Sequence, residues 1–412
     1  MGAMGKMKDK KRIALVNQRY GLEVNGGSEY FTRQLAEHLK GLYEVEVLTT
    51  KALDYITWQD YYQEDTEQIH GVTVRRFSVS HPRNVWGMRL YRRLHQYLPM
   101  NREYWGKRWV DAQGPCCPGL LQYIETHKED YEVIIFVTYL YYPAVMGLPL
   151  AAERALLIPT AHDEPYIYFP VYNKLFDLAK GIVYLTPEEK AFVESRFPVA
   201  QKISCICGTG IEIPEKVDDK IYRDKYGLRQ PYVIYVGRVD VEKGCQEMFQ
   251  IFKAYKKKYP DSPLKLVLMG KSAMDIPPDK DIIYQGFVSE EDKFNGISGA
   301  EALWLPSKYE SLSIAVLEAM SLGVPVIVNG RCPVLKGHCE RSKAGLFYRN
   351  EEEAVMELYE MEYGSGRQKM SANAKKYVSE NYQWNITVKR IDQMIRQISE
   401  NIPEREEYNE QD

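Results

Sequence analysis

The stretch YESLSIAVLEAMSLGVPVIV at residues 309–328 decides the fold. One apolar run precedes it at 302–305 and another closes it at 324–328, so the pattern predicts a strand, a loop, a helix and a second strand. Gly323 suits a left-handed helix cap, and Pro325 cannot continue the helix. A helix that starts at the carboxyl end of a parallel strand presents unpaired N–H groups to the crevice there, and this arrangement favours phosphate.

Two glutamates accompany this helix. Glu310 lies in the loop that leads into it, and Glu318 lies inside it, eight residues later. If the whole span were helical, eight steps of about 100° would leave the two side chains about 80° apart. Carboxylates accept hydrogen bonds from hydroxyls, and a nucleotide sugar offers hydroxyls on both sides of its diphosphate. The alternative to a ligand-binding pair is that both glutamates are ordinary surface side chains in contact with water.

The composition is that of a globular protein with more than one domain. A chain of 412 residues, 45% hydrophobic and 27% charged, predicts two or three domains with sizeable cores. Its formal net charge of -3 gives no overall field for nucleic acid or membrane. Seven cysteines, at spacings that match no zinc site, indicate reduced thiols in a cytoplasmic protein.

Short apolar runs alternate with helical or irregular spans over the first half of the chain. A first strand is predicted at 12–17, with a helix from about Ser28, and the later runs lie at 45–48, 72–74, 133–137, 156–158, 182–184 and 203–206. Such alternation indicates a parallel sheet covered on both faces. A charged span at 215–229 predicts a linker, and strands at 232–236, 264–270 and 282–288 begin a second domain.

Three further features have residue types suited to a ligand site. Paired glycines, Gly26 and Gly27, open the first helix, where they permit close approach of a phosphate or form a plain turn. Arg238 and Lys243 flank a strand-to-helix turn and can neutralise a diphosphate from two sides. His162 follows a strand and can bond a ligand hydroxyl or exchange a proton, although a lone histidine is usually structural.

The segment 81–110 interrupts the alternation with basic and aromatic residues. Basic side chains attract anionic headgroups or diphosphates, and tryptophan and tyrosine can lie at a lipid interface. A pair of surface helices with inward aromatic anchors is an equal alternative. The patch is isolated in an acidic chain, which disfavours nucleic acid. Its members are Arg83, Arg89, Arg92, Arg93, Arg102, Lys107, Arg108, Trp86, Tyr91, Tyr97, Tyr104, Trp105 and Trp109.

The two glutamates with seven residues between them, followed by AMSLGVPV, resemble the signature of family 4 of the retaining glycosyltransferases. The matches follow the family's order over about residues 12–400. By this resemblance Glu310 lies at the donor sugar and Glu318 holds the ribose. The run GRVDVEKG resembles the family's donor-diphosphate site, so Arg238 and Lys243 take that role.

The resemblance assigns the remaining site residues as follows. His162 and Asp163 lie beside the transferred sugar and are catalytic together with Glu310. Gly27 and the residues that begin the helix contact the donor diphosphate. Phe287 and Val288 lie beside the nucleotide base, and Gly26 and Glu29 lie on the acceptor side. The helix-start residues are Ser311, Leu312, Ser313 and Ile314.

The resemblance implies an α/β protein with the GT-B fold, in which two Rossmann-like domains with parallel sheets face each other across a cleft. The expected domains are an acceptor-side domain at 12–213, a nucleotide-sugar domain at 214–382, and a helix at 383–400 that returns to the first domain. Trp384 would anchor that helix.

The implied function is retaining, metal-independent sugar transfer from a nucleotide sugar to a glycan, lipid-linked or small-molecule acceptor. A UDP-sugar is favoured over a GDP-sugar by family frequency. The expected location is the cytoplasm or the inner face of the membrane, with membrane contact through 81–110 and no nucleic-acid partner. A nucleotide-sugar isomerase of related fold and a noncatalytic nucleotide-sugar-binding protein are the alternatives.

Overall fold

The computed structural model describes residues 10–24, 26–98 and 100–402. It divides into two compact units. Of the described residues, the first unit contains those up to 207 and those from 388 onward, and the second contains residues 208–387. The chain therefore leaves the first unit after Cys207 and re-enters it at Val388.

Over the described residues, the first unit contains an eight-stranded sheet in the order β3-β4-β2-β1-β5-β6-β7-β8. All neighbours are parallel except β3 and β4, which are antiparallel. The strands are β1 (Arg12–Val16), β2 (Glu44–Thr50), β3 (Thr66–Ile69), β4 (Val72–Phe77), β5 (Val133–Val137), β6 (Ala155–Ile158), β7 (Gly181–Tyr184) and β8 (Ile203–Ile206).

Helices cover this sheet and bury its apolar strands. Strands β5, β6 and β7 are buried at every position, as expected where both faces of a parallel sheet are covered. The helices are α1 (Gly27–Leu39), α2 (Val85–Tyr97), α3 (Arg102–Gln113), α4 (Pro118–His127), α5 (Tyr142–Gly147), α6 (Val171–Leu178) and α7 (Pro187–Arg196).

The second unit contains a fully parallel sheet, six-stranded in the part of the chain that the structure describes, in the order β11-β10-β9-β12-β13-β14. Its strands are β9 (Tyr232–Val236), β10 (Lys265–Met269), β11 (Ile282–Tyr284), β12 (Ala302–Leu305), β13 (Val326–Asn329) and β14 (Gly345–Tyr348). Its helices are α8 (Asp219–Tyr226), α9 (Cys245–Lys258), α10 (Glu290–Ser298), α11 (Ile314–Leu322), α12 (Pro333–Ser342), α13 (Glu351–Tyr363) and α14 (Arg367–Asn381).

The predicted α/β class with parallel sheets is confirmed, and so is the position of Glu310 in the loop before α11, but one local prediction is wrong. The strand expected over 282–288 ends at Tyr284, because Gly286 has a φ of 69°, a left-handed conformation that interrupts a strand. The helix near Glu310 begins only at Ile314, so the projected angle of about 80° between the two glutamates does not apply.

The last helix, α15 (Trp384–Ser399), completes the core of the first unit. Four apolar side chains on its later turns, Ile391, Met394, Ile395 and Ile398, are at most 2% exposed. A Cβ placed on Gly181 in β7 would lie 3.0 Å from the Met394 Cε and 3.1 Å from the Ile398 Cδ1, so this helix packs closely on the sheet.

We expect Ile398→Ala to lower the free energy of unfolding of the first unit by about 2 to 4 kcal/mol, because it leaves a cavity in a close-packed core. Urea unfolding followed by circular dichroism measures the change. Gln393→Ala, on the exposed side of the same helix, is the control and should change it little. Equal stability of the two variants would contradict the packing described.

Candidate active site

Each sheet reverses its strand order beside one central strand, and ligands of open α/β sheets bind at such points, beyond the carboxyl ends of the strands. In the second unit β9 lies between β10 and β12, so the loops after β9 and β12 meet there. In the first unit β1 lies between β2 and β5. The predicted site residues follow these strands.

In the second unit, Lys243 and Glu310 form an ion pair between the two loops. The Lys243 Nζ lies 2.7 Å from the Glu310 Oε1, and the glutamate side chain is only 14% exposed. Gly244 brings the loops together: it has a φ of 82°, and a Cβ there would lie 2.6 Å from the backbone oxygen of Pro306. The structure thus joins two residues that the sequence placed 67 positions apart.

Asp240 braces the loop after β9. Its Oδ1 accepts a hydrogen bond of 2.7 Å from the Lys243 backbone N–H, and its other oxygen pairs with the Arg238 guanidinium. Arg238 also lies 3.4 Å from the exposed Glu242. Each predicted cation of this loop therefore has a carboxylate partner before any ligand binds. Sequence reasoning did not single out Asp240, although its position two residues after Arg238 was the available signal.

The loop before α11 has an uncommon conformation. Ser313, at the helix N-cap, has a φ of 70°, which is left-handed and costs free energy for a residue with a Cβ. Leu312 is buried, and Ser311 and Ser313 precede the helical turn that begins at Ile314. The N–H groups of that first turn carry the partial positive charge of the helix.

His338 fixes this loop from the interior. It is fully buried on α12, and its Nε2 lies 2.8 Å from the Leu312 carbonyl oxygen. A carbonyl only accepts, so the Nε2 is protonated and the Nδ1 accepts from the Tyr377 hydroxyl at 3.1 Å. Burial, followed by the charge of Arg341, lowers the pKa of His338 to about 4, so the ring is neutral at pH 7. The sequence left His338 as an ordinary residue.

Glu318 forms an ion pair with Lys293. It is 5% exposed on α11, and its Oε1 lies 2.8 Å from the Nζ of Lys293 on α10. Burial raises the pKa of the Glu318 carboxyl, and the lysine opposes that rise. Each glutamate of the motif thus pairs with a different lysine. Lys293 was missed because nothing in the local sequence relates it to Glu318.

Phe287 and Val288 follow β11. The Phe287 side chain is 62% exposed, and the Lys271 Nζ lies 5.8 Å from the centre of its ring. An exposed aromatic face beyond a strand end can stack on a base. The structure leaves Val288 half-buried beside it.

In the first unit, Glu29 is buried and neutralised. Gly26 caps α1 and Gly27 begins it, and Glu29 in its first turn pairs with the guanidinium of Arg19. Both side chains are 7% exposed. The Ser28 hydroxyl donates to the second oxygen of Glu29 at 2.8 Å. Arg19, which sequence reasoning did not select, is therefore a fixed part of this cluster.

His162 follows β6, where Thr160 has a φ of 51°. Its Nε2 lies 3.5 Å from the Glu164 Oε1, and the Tyr139 hydroxyl donates to the same oxygen at 2.5 Å. Burial raises the pKa of the Glu164 carboxyl, but the hydrogen bond and charge of His162 outweigh it, and the pKa falls below its usual value. Glu164 therefore orients the imidazole.

Asp163, by contrast, is exposed and accepts a hydrogen bond of 2.6 Å from the Tyr168 hydroxyl. The loop that carries both residues is held by Glu189 of α7. The carboxylate of Glu189 accepts from the N–H groups of Ala161 and Leu185, each at 2.6 Å. Glu189 fixes the position of His162 without contacting it.

Tyr141 lies beside Trp58, whose ring meets its own edge to face at 5.6 Å. Burial raises the pKa of the Tyr141 hydroxyl to about 12. Of the predicted residues, Glu29 lies in the helix that follows β1, and His162 follows β6.

Among the residues that the structure describes, one group has side chains suited to a metal ion. The ligand atoms of His81, Asp111 and Cys116 lie within 4.8 Å of one another. Cys116 is buried, and burial raises the pKa of its thiol, which favours the protonated form. A thiol of this kind is a poor metal ligand, because the thiolate is the form that binds.

Comparison with known proteins relates the second unit to glycosyl transferases. The family model described as glycosyl transferases group 1 matches residues 218–377. An uncharacterized glycosyltransferase of Methanocaldococcus jannaschii is 24% identical over 402 residues, 90% of this chain and 95% of that protein. Five other curated relatives match over shorter stretches, and the chain spans between 27% and 50% of their length.

Solved structures share the fold over nearly the whole chain. Sucrose-phosphate synthase from Thermosynechococcus elongatus has a TM-score of 0.70 at 18% identity, covering 94% of this chain and 99% of that one. Anabaena HepE, solved in complex with UDP and glucose, has a TM-score of 0.65 at 13% identity, covering 94% of this chain and 100% of that one. The chain has the GT-B fold of these glycosyltransferases.

We expect the stability of the protein to fall as the pH falls from 7 to 4, partly through His338. The unfolded imidazole takes up a proton near pH 6.5 and the folded one only near pH 4. The unfolded state therefore binds more protons in this window, and the loss reaches about 3 kcal/mol at pH 4.

His338→Gln keeps a donor for the Leu312 carbonyl but cannot titrate, so its acid-induced loss should be smaller. Thermal unfolding at pH 7, 6 and 5 measures it. His70→Gln, at a surface histidine, should behave as the unmodified protein does. The same pH dependence in all three proteins would contradict this role of His338.

Proposed function

We propose that the protein is a retaining glycosyltransferase of family 4 that moves a sugar from a nucleotide sugar to an acceptor. The ion pair between Lys243 and Glu310 at the switch point of the second sheet carries this proposal. The group 1 family model over 218–377 and the glycosyltransferases of the same fold support it. The donor is a UDP-sugar rather than a GDP-sugar, as the UDP bound to Anabaena HepE suggests.

In the proposed reaction the second unit binds the donor. Lys243, Arg238 and the amides that begin α11 stabilise the departing nucleoside diphosphate, since cations and oriented N–H groups are worth most where charge develops. A diphosphate of this charge competes with Glu310 for the Lys243 ammonium. Glu310 is then released toward the donor sugar, while Glu318 accepts from the ribose hydroxyls.

The chemical step replaces one bond at the anomeric carbon by another on the same face. The acceptor hydroxyl attacks as the bond to the diphosphate breaks, and the departing phosphate oxygen takes the hydroxyl proton. His162, oriented by Glu164, and the neighbouring Asp163 act beside the transferred sugar. We propose that no metal takes part, so turnover should survive treatment with a chelator.

The decisive experiment incubates the protein with a panel of UDP- and GDP-sugars, with and without sugar acceptors, and measures free nucleotide and the sugar product. A glycosyltransferase releases nucleotide and forms a new glycoside. An isomerase would alter the donor with no acceptor present. A noncatalytic binding protein would bind the nucleotide sugar and leave it unchanged, and either result would overturn the proposal.

Glu310→Gln is expected to lower turnover about 100-fold while changing nucleotide affinity less than about threefold. The reason is that Glu310 acts at the sugar and the cations hold the diphosphate. Steady-state kinetics and calorimetric titration with UDP measure the two effects. Glu340→Gln, in a surface pair with Lys336, is the matched control and should change neither. Unchanged turnover in Glu310→Gln would remove the role given to Glu310.

We also propose that helix α2 contacts an anionic membrane surface. No helix of the described chain is long and apolar enough to cross a membrane. Yet Trp86 is 78% exposed and Tyr97 72% exposed, and with Leu90 they share one face of α2. Arg89 and Arg93 lie on the same exposed surface, which suits a basic amphipathic helix lying on lipid. Trp109, in contrast, is buried and stacks on Tyr166 at 4.6 Å.

Vesicles rich in phosphatidylglycerol should bind the protein, and vesicles of phosphatidylcholine should not. Replacing Arg89 and Arg93 by Gln should weaken that binding about thirtyfold, since each basic residue near the surface contributes about 1 kcal/mol. Sedimentation with the vesicles measures it. The contact is refuted by equal binding to both vesicle types, or by binding and turnover that survive the double substitution.

A further inference from the structure

Arg83 is a half-buried cation without an acidic partner. It precedes α2, and its Nε donates to the Gln113 carbonyl oxygen at 3.2 Å. Its guanidinium carbon lies 5.0 Å from the ring centre of Trp58 and 5.8 Å from that of Tyr55. Within the described ranges this guanidinium forms no ion pair, although the Tyr141 hydroxyl and the charge of Asp54 act on it.

The surroundings of Arg83 fix it in place. Trp58 is fully buried, has a φ of 60° and donates its indole N–H to the Gln113 carbonyl at 2.7 Å. Its ring meets that of Tyr141 edge to face at 5.6 Å. Burial lowers the pKa of Arg83, which records the free energy cost of holding this charge away from water. Arg19 nearby differs, because Glu29 neutralises it.

Arg83 lines a groove in the first unit together with a second cation of the same kind. The groove has a volume of about 620 Å³ and is lined also by Arg108, His81, Asp111, Trp86 and Tyr91. Arg108 donates to the Tyr91 hydroxyl at 3.2 Å, and over the described residues it too has no carboxylate within 4.0 Å. The single acid, Asp111, lies 3.5 Å from His81.

The arginines and aromatic rings of this groove together suit an anionic organic ligand. Two arginines offer forked N–H donors that match the oxygens of a phosphate or a carboxylate, and such charge-assisted bonds are strong. The Trp86 ring, which is largely exposed, offers a flat apolar face of the kind that covers one side of a sugar ring, while the Tyr91 ring stacks on Trp105 at 6.2 Å and carries Arg108 over it. The volume falls in the range of sites for small organic ligands.

We propose that this groove binds an anionic sugar, with Arg83 as the anchor of its phosphate or carboxylate and Arg108 as the second contact. The inference rests on the proposed glycosyl transfer in one respect: the anionic sugar is the acceptor, or its terminal residue. The acceptor class is then a sugar phosphate or a uronic acid rather than a neutral sugar.

The test compares three probes at equal ionic strength: glucose 6-phosphate, glucuronate and glucose. Calorimetric titration should show that at least one anionic probe binds about tenfold more tightly than glucose. Arg83→Gln should abolish that advantage, and Arg108→Gln, at an exposed position that does not threaten folding, should reduce it severalfold. Lys190→Gln, in a pair with Glu194 on α7 outside the groove, is the matched control and should leave it unchanged.

Three results would overturn the proposal. The first is equal affinity, or no measurable affinity, for all three probes. The second is an anion advantage that persists in both Arg83→Gln and Arg108→Gln. The third is displacement of the bound anionic probe by soluble glycerol phosphate as readily as by glucose 6-phosphate, which would assign the groove to a lipid headgroup rather than to a sugar.

A titration with UDP separates this inference from the proposed function. If UDP binds and sugar is transferred but no probe shows an anion advantage, only the groove assignment fails. If an anionic probe binds in the groove but no nucleotide sugar is consumed, the assignment of the enzyme fails and the anion site remains.

Discussion

The candidate site of the second unit depends on the parallel pairing of β9 and β12. Because both strands end at the same edge of the sheet, the loops that follow them meet, and Lys243 of one reaches Glu310 of the other. Gly244 permits this approach, because any side chain there would collide with the Pro306 carbonyl. Arg238 is in turn held by Asp240. Removing one partner of such half-buried pairs leaves a charge that the surroundings cannot compensate.

The two units distribute charge differently. In the second unit Arg238 and Lys243 each already have an acid, so an anionic ligand of the proposed kind would bind by exchanging partners rather than by filling an empty positive pocket. In the first unit Arg19 pairs with Glu29, whereas Arg83 forms no ion pair among the described residues and is surrounded by aromatic rings, the Tyr141 hydroxyl and a carbonyl, with Asp54 as an acid that acts on it. The paired cations of the second unit suit a ligand that must leave after the reaction. The unpaired arginine of the first unit suits a group that is held unchanged throughout the reaction.

The strand and helix order could be predicted from the sequence, because buried parallel strands appear as short apolar runs such as 133–137 and 232–236. Strand β3 could not, since its four mostly polar residues form an antiparallel edge. Glu310 and Lys243 could be selected because each lies in a recognisable local motif. Lys293, His338 and Glu189 could not, because their roles arise from contacts between residues 25 to 28 positions apart, a relation that local patterns do not encode.

The path of the chain makes the second unit an insertion within the first. Residues 388–399 supply Ile391, Met394 and Ile398 to a core whose other members all precede residue 208. During translation the amino-terminal sheet therefore leaves the ribosome before α15 has been made. Its core can be completed only after every residue of the inserted unit has been synthesised. The inserted unit can close first, so a nascent chain stalled near residue 387 would have one finished unit and one incomplete unit.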